Sequence, residues 1–122
     1  MDEQQRKKRF PFKKENRLRE RKNFEHLFST GRKVENQYFQ IIYAENKQGI
    51  ARVAVILRKK FGQAVVRNTV RRRIKEIFRL NKDKFSPGLD YAIFPKDRAK
   101  YISFHELKDN LLPLVEKCSL NK

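Results

Sequence analysis

Cysteine is nearly missing from this chain of 122 residues, and the single Cys118 excludes an internal disulfide. No apolar run approaches the roughly 20 residues that cross a bilayer. We find no lipidation signal and no apolar core of a signal peptide. The length suits one domain with a modest core. These absences predict a cytoplasmic protein without a membrane partner.

Residues that carry common catalytic chemistry are also scarce. The only two histidines, His26 and His105, are far apart, and each is expected at the surface or at the core boundary. No Cys/His cluster has metal-ligand spacing. The stretch FGQAVVRN lacks the Gly-Lys-Ser/Thr of a phosphate-binding loop, and no carboxylate pair suits metal-assisted phosphodiester cleavage. We therefore expect neither a catalytic residue nor a metal site on this protein.

Positive charge is what the chain has in excess. It carries 31 Lys and Arg against 14 Asp and Glu, a formal net charge of +17 and a pI near 10.4. Such a charge repels itself in a compact state. A stable protein that carries it is expected to work with a polyanion, and nucleic acid is the leading candidate.

The cations crowd the stretch from Arg58 to Arg79, where Glu76 is the one acid. From Val65 onward apolar residues recur at helical spacing, which predicts a helix ending near Asn81. A solvated charged face would normally mix signs at i,i+4, so this helix favours polyanion binding. The predicted apolar face holds Val66, Val70, Ile74, Ile77 and Phe78, and the opposite face Arg67, Asn68, Arg71, Lys75 and Arg79. Arg73 falls among the apolar positions and must reach the helix edge.

Asn68 is neutral among these cations, and two roles stay open for it. Its amide could bridge a phosphate and a neighbouring arginine, or hold a metal-bound water. It could equally form a local backbone hydrogen bond near the helix start.

Before this stretch, residues 1–16 read as a basic flexible arm and residues 17–122 as a single domain. The arm contains Phe10-Pro11-Phe12, whose rings could pack on the domain or stack on bases. The spacing of Phe24, Leu27 and Phe28 predicts a short helix within 18–28 that stops at Gly31. From the residues alone, Phe24 and Phe28 are better explained as core.

Three strands and a last helix complete the predicted elements. Residues 38–44 (YFQIIYA) and 51–57 (ARVAVIL) are expected to form an antiparallel hairpin. Gly62 is expected to give the backbone freedom to turn into the basic helix. Residues 90–95 form a third strand, and Ser103 opens a final helix with capping-box spacing. Pro113 should kink or shorten that helix. The order α-β-β-α-β-α indicates an α+β fold, a small α/β sandwich with helices on a short sheet.

The run KKFGQAVVRN followed by RRRIKEIFR resembles the signature of the bacterial ribonuclease P protein component. The resemblance covers about Arg17 to Lys117, and two departures stand out: Thr69 replaces a basic residue and Arg73 an apolar one. The matching positions are Lys59, Lys60, Gly62, Ala64, Val65, Arg67, Asn68, Arg71, Arg72, Lys75, Glu76, Phe78 and Arg79.

The resemblance implies a protein subunit that helps a catalytic RNA to remove the 5′ leader of precursor tRNA. The RNA would hold the Mg²⁺ and perform the cleavage, with no obligatory protein partner. The family also implies a left-handed βαβ crossover through the basic helix. The residues implied to bind the RNA subunit are Lys59, Lys60, Arg67, Asn68, Arg71, Arg72, Lys75 and Arg79. Those implied to line a cleft for the single-stranded leader are Phe24, Phe28, Tyr38, Gln40 and Ile42.

Three other functions remain as alternatives. A general RNA-binding protein of the ribosomal kind would use the same basic helix without a processing role. A DNA-binding regulator would place that helix in the major groove, but strands rather than a helix precede it. A protein-only nuclease lacks the necessary carboxylates and histidines.

Overall fold

In the computed structural model, which describes residues 16–120, three α-helices flank one four-stranded sheet. Most of the predicted arm lies outside the described residues. The helices are α1 (Arg21–Thr30), α2 (Ala64–Leu80) and α3 (Phe104–Leu120), and the strands are β1 (Arg32–Glu35), β2 (Phe39–Glu45), β3 (Arg52–Val55) and β4 (Leu89–Pro95). The α+β class and the predicted order of helices and strands are confirmed, with β1 as an additional short strand.

The strands lie in the order β1-β2-β4-β3, so the predicted hairpin between the second and third strands is wrong. Strand β2 instead pairs antiparallel with β1 on one side and with β4 on the other. The strands β2, β3 and β4 agree with the three predicted strands, whereas the sequence does not predict β1 because RKVE is too short and too polar to stand out. Pairing between distant strands leaves no mark in local sequence, which explains the error.

Strands β3 and β4 pair in parallel, from Arg52 opposite Asp90 to Val55 opposite Ile93. Helix α2 connects them, because parallel neighbours require a crossover connection. This is the βαβ unit that the resemblance implies, and its left-handed sense stays a prediction.

The main core lies between the sheet and helices α2 and α3. Strand β2 turns Phe39, Ile41 and Tyr43 to this side, and β4 turns Tyr91 and Ile93. The helices contribute buried stripes at helical spacing: Val70, Ile74, Ile77 and Phe78 from α2, as predicted, and Leu107, Leu111, Leu114, Val115 and Cys118 from α3. Helix α3 begins as predicted, because Ser103 Oγ accepts a hydrogen bond from the Glu106 amide at 3.1 Å. It continues past Pro113 to Leu120, so the proline does not shorten it.

Helix α1 covers part of the other side of the sheet. Its buried residue Leu27 packs with Leu18, Ala44 and Ala92, and the two alanines leave room for the helix to approach. The helix starts later than predicted, at Arg21, and stops at Gly31 as expected. A side chain at Gly31 would collide with the Leu27 carbonyl and would lie 2.8 Å from Ile42 Cγ2, so this close approach requires glycine.

An ion pair fixes the same side of the sheet near the start of β3 and β4. Asp90 is fully buried, and its carboxylate accepts hydrogen bonds from Arg52 Nε at 2.7 Å and from Arg52 Nη2 at 2.8 Å. Asn46 Nδ2 donates to the same carboxylate at 2.8 Å. Strand β4 is an inner strand of the sheet, and the Asp90 carboxylate is fully paired there.

Replacing Ile74 with aspartate tests the packing of α2. Ile74 is fully buried, so we expect a loss of about 4 kcal/mol or more in the free energy of unfolding, because the new charge would have no partner. Leu80→Asp is the matched control on the same helix, where Leu80 is 42% exposed. We expect that control to lose no more than about 1 kcal/mol. Chemical denaturation measures both values, and equal losses would contradict this packing.

Candidate nucleic-acid interface

A buried phenylalanine fixes the approach to helix α2. Phe61 ends the short 3₁₀ turn Lys59–Phe61 and is 1% exposed, whereas Lys59 and Lys60 are exposed. The next residue, Gly62, has an extended backbone that any residue could adopt, so the predicted need for rotational freedom is wrong. Glycine fits instead because a side chain there would lie 3.2 Å from Val66.

One face of α2 gathers most of the predicted RNA-binding residues around a surface cavity of ≈ 320 Å³. Glu76 also lines this cavity, but its carboxylate binds Arg79, whose Nε donates at 2.8 Å. The hydrogen bond from Arg79 holds the pKa of Glu76 below its usual value. Glu76 therefore stays charged and offsets part of the positive charge of Arg79. The predicted residues at the cavity are Asn68, Arg71, Arg72, Lys75 and Arg79.

Arg67 does not lie at this cavity. It precedes Ile74 by seven residues, or two helical turns, and therefore lies on the side of the helix that faces the core. The residue is half-buried, and its Nε is buried without a hydrogen-bond partner among residues 16–120. The prediction that Arg67 belongs to the cationic face is therefore inaccurate, because Arg67 lies at the border of that face. Lys59 and Lys60 also lie away from the cavity, before the helix begins.

Asn68 makes a side-chain contact of the kind that one hypothesis required. Its Oδ1 accepts a hydrogen bond from Arg71 Nη1 at 3.0 Å. An amide held in this way orients the guanidinium and can still donate through its nitrogen. The local backbone bond belongs instead to the next residue, since Thr69 Oγ1 donates to the Val65 carbonyl at 2.8 Å.

Arg73 reaches the helix edge, as predicted. Its Nη1 donates to the Ile102 carbonyl at 3.1 Å, which ties α2 to the segment before α3. The departure from an apolar residue at this position is therefore accommodated by a hydrogen bond outside the core.

A second candidate surface lies on the opposite side of the sheet, beside α1. Phe28 is 49% exposed, and its ring centroid lies 5.9 Å from that of Phe24 and 6.3 Å from that of Phe94. The interpretation of Phe28 as core is therefore wrong, because this ring stands at the edge of α1. Three neighbouring aromatic rings, partly open to solvent, form a surface on which flat bases can stack.

The sheet brings two further predicted residues to this side. Gln40 and Ile42 alternate with the core residues of β2 and are half-buried. Tyr38 differs, because it packs against the main core. It precedes β2 in a turn where Asn36 Oδ1 accepts hydrogen bonds from the amides of Tyr38 and Phe39, both at 2.9 Å. Strand alternation therefore does not extend to Tyr38, and its predicted place in the cleft is wrong.

Residues that the sequence did not single out complete this surface. Gln40 lies opposite Phe94 in the sheet, and a cavity of ≈ 270 Å³ adjoins them. Its other lining residues are Ile56, Arg58, Pro95 and Lys96. Alternation along DYAIFP could have placed Phe94 with Ala92, but only the pairing of β4 with β2 and β3 brings Phe94 to Gln40 and Ile56. We call the surface formed by Phe24, Phe28, Gln40, Ile42, Ile56 and Phe94 the cleft.

The two histidines lie at the surface, as predicted. His26 Nε2 lies 3.2 Å from the Glu45 carbonyl, and His105 Nε2 lies 3.1 Å from Asp109 Oδ2. Within residues 16–120, no three His, Cys, Asp or Glu side chains are grouped to hold a metal ion. No helix in that range is long and apolar enough to cross a membrane.

Comparison with known proteins agrees with both the sequence signature and the fold. The family model described as Ribonuclease P matches residues 12–119. The ribonuclease P protein component of Petrotoga mobilis is 41% identical over 110 residues, which cover 87% of this chain and 93% of that protein. The corresponding protein of Finegoldia magna is 33% identical over 106 residues, which cover 87% of this chain and 93% of that protein. The structure of the RNase P protein from Thermotoga maritima superposes with a TM-score of 0.78 at 30% identity, over 83% of this chain and 96% of that one. This chain therefore belongs to the family of ribonuclease P protein components.

Proposed function

We propose that this protein binds the catalytic RNA of ribonuclease P through α2 and the 5′ leader of precursor tRNA through the cleft. In this way it promotes removal of the leader and formation of the mature tRNA 5′ end, in the cytoplasm. The observation that carries the proposal is the position of two different surfaces on opposite sides of one sheet. Two RNA elements can then be held at once without competing for the same residues.

The α2 surface suits a folded RNA. Its cations stand along about three helical turns on a backbone anchored by four buried residues, so they form a fixed pattern. Lysine and arginine side chains in such a pattern bind phosphates, and the affinity falls as salt rises because bound counterions are released. Contacts to phosphates carry no sequence information, which suits a partner recognised by its shape.

The cleft suits a single strand. Its rings offer stacking surfaces that accept any base, and Arg58 and Lys96 stand at its end beside Gln40. Stacking contributes on the order of 1–3 kcal/mol per base. Such a surface would tolerate any leader sequence.

We assign the chemistry to the RNA and the Mg²⁺ to sites on the RNA. The cations of α2 at the cavity would lower the repulsion between RNA strands that approach each other. The protein would hold the substrate and supply no reacting group.

The test combines purified protein, its cognate catalytic RNA and a precursor tRNA in Mg²⁺. Efficient cleavage at physiological salt only when protein and RNA are both present supports the proposal. Cleavage by the protein alone would contradict it. Equal affinity of the protein–RNA complex for precursor and mature tRNA would instead indicate a general RNA-binding protein.

Asn68→Asp tests the α2 surface. A carboxylate in this cavity would repel a phosphate, and we expect affinity for the catalytic RNA to fall at least about tenfold with no loss of stability. Thr69→Asp is the matched control, since it introduces the same charge one residue away and outside the cavity. For that control we expect the affinity for the catalytic RNA to fall about threefold or less at physiological salt. If filter-binding assays show equal losses of affinity for the two variants, the net charge of the protein and not the position of Asn68 determines the effect.

Phe28→Ala tests the cleft. Loss of one stacking ring should weaken precursor tRNA binding to the complex by about tenfold or more, and leave mature tRNA binding unchanged. Because Phe28 is half-exposed, the loss of stability should be below the ~3–5 kcal/mol expected for a buried phenylalanine.

Two variants control this experiment. Tyr101→Ala removes an aromatic ring that is 85% exposed and outside the cleft, and should change neither affinity. Phe85→Ala removes a ring that is 1% exposed and should lower stability by the full amount for a buried ring. If Phe28→Ala weakens both RNAs equally and destabilises as Phe85→Ala does, the leader must bind elsewhere.

A further inference from the structure

One motif of the sequence belongs to neither of the two surfaces described above. Residues 1–15 consist mostly of charged and polar side chains, yet they contain Phe10-Pro11-Phe12. The sequence leaves open whether these rings pack on the domain or stack on bases. The ribonuclease P family model starts at residue 12, so it includes Phe12 and not Phe10. A ring in such a segment gains free energy when it is buried against apolar surface.

Pairing with β3 sets the direction of the chain at the first described residue. Arg17 forms a parallel bridge with Val53. Asn16 Nδ2 donates a hydrogen bond to the Ala51 carbonyl at 2.8 Å. Since the bridge is parallel, a chain that continues back from Asn16 in the same direction runs beside Ile50, which precedes Ala51.

A cavity of ≈ 240 Å³ lies on this path. Ala51 and Phe78 in its lining are buried and Pro87 is exposed, so the cavity extends from the core to the surface. A cavity of roughly 150 Å³ accommodates a benzene ring, so this one is large enough for the side chain of a phenylalanine. The lining residues are Asn16, Gly49, Ile50, Ala51, Phe78, Lys82 and Pro87.

The polar side chains at this cavity have partners. Lys82 Nζ donates to Asn16 Oδ1 at 2.8 Å, and Asn16 Nδ2 donates to the Ala51 carbonyl. Lys82 Nζ also lies 5.7 Å from the centroid of the Phe78 ring. An aromatic ring placed here would separate no polar group from its partner, and it would lie near an ammonium group that favours aromatic faces. The cavity is therefore suited to an aromatic side chain.

We propose that the ring of Phe12 from the same chain occupies this cavity. The chain from Phe12 to Asn16 spans at most about 14 Å, so Phe12 can reach only surface near Asn16, which itself lines the cavity. The contact holds the preceding segment against β3, an edge strand of the sheet. It thereby covers part of an edge that could otherwise pair with another chain. This docking does not depend on the proposed function.

NMR on the full chain without RNA tests the contact directly, with isotope-labelled methyl groups of alanine and isoleucine. We expect nuclear Overhauser effects from the Phe12 ring protons to the methyl groups of Ile50 and Ala51, and none from the Phe10 ring. A mixture of labelled and unlabelled chains distinguishes a ring of the same chain from a ring of a second copy. No such effect from Phe12, or one only between different chains, overturns the proposal.

Thermal unfolding measures what the contact contributes to stability. Phe12→Ala should lower the unfolding midpoint by roughly 5–10 °C, because it removes a buried ring from a domain of this size. Phe10→Ala is the matched control, since it removes the same ring two residues earlier, and it should shift the midpoint by about 1 °C or less. Phe12→Leu should restore about half of the loss, because leucine fills part of the same space.

Equal midpoints for Phe12→Ala and Phe10→Ala overturn the proposal. If Phe12→Ala leaves the midpoint unchanged but weakens binding of the catalytic RNA or the precursor tRNA, the ring stacks on bases instead.

A double-mutant cycle with Ile50→Ala assigns the contact to this cavity. Ile50 is half-buried and lines the cavity, so it should touch the docked ring. The combined loss of stability in Ile50→Ala with Phe12→Ala should be smaller than the sum of the single losses, because both variants remove the same contact. The losses in Ile50→Ala with Phe10→Ala should add. Additive losses for both pairs would mean that Phe12 docks elsewhere, and would overturn the proposal.

Discussion

The structure depends on the insertion of β4 between β2 and β3. Strand β4 pairs with β2 over seven residues, from Leu89 to Pro95, and with β3 over four. It follows α2 in the chain, so β3 and β4 can pair in parallel only because α2 crosses the sheet between them. This pairing creates the two sides of the sheet, with the main core and α2 on one side and α1 with the cleft on the other.

Side-chain size distinguishes the two sides of β4. Tyr91 and Ile93 are large and fill the main core, whereas Ala92 is small and lets α1 approach. Beyond Ala92, Phe94 emerges from under α1 and joins Phe28 in the cleft. At the other end of the strand Asp90 binds Arg52 and fixes the start of the parallel pair. Strand β4 thus contributes residues to the main core, to the contact with α1 and to the cleft.

Most of the elements could be predicted from the sequence, because local patterns specify them. The stripe of α2, the cap at Ser103, the stop at Gly31 and the reach of Arg73 all follow from spacing within a few residues. The absent hairpin, the missed β1 and the contribution of Phe94 depend instead on which distant strands pair. Tyr38 lies just before a strand, and Arg67 lies at the border between two faces of a helix. At such positions a shift of one residue along a strand, or of about 40° around a helix, moves a side chain to the other side. The signature identified the family, but only the folded chain shows that Phe24, Phe28 and Phe94 form one surface.

The most direct test of the account is whether the two surfaces bind RNA at the same time. A fluorescent single-stranded oligonucleotide with a leader sequence would be titrated with the protein, first alone and then saturated with its catalytic RNA, at one salt concentration. The separation of the two surfaces by the sheet predicts that the oligonucleotide binds in both cases, and that Phe28→Ala weakens it equally in both. Displacement of the oligonucleotide by the catalytic RNA would contradict the account, because it would mean that both RNAs use the same surface.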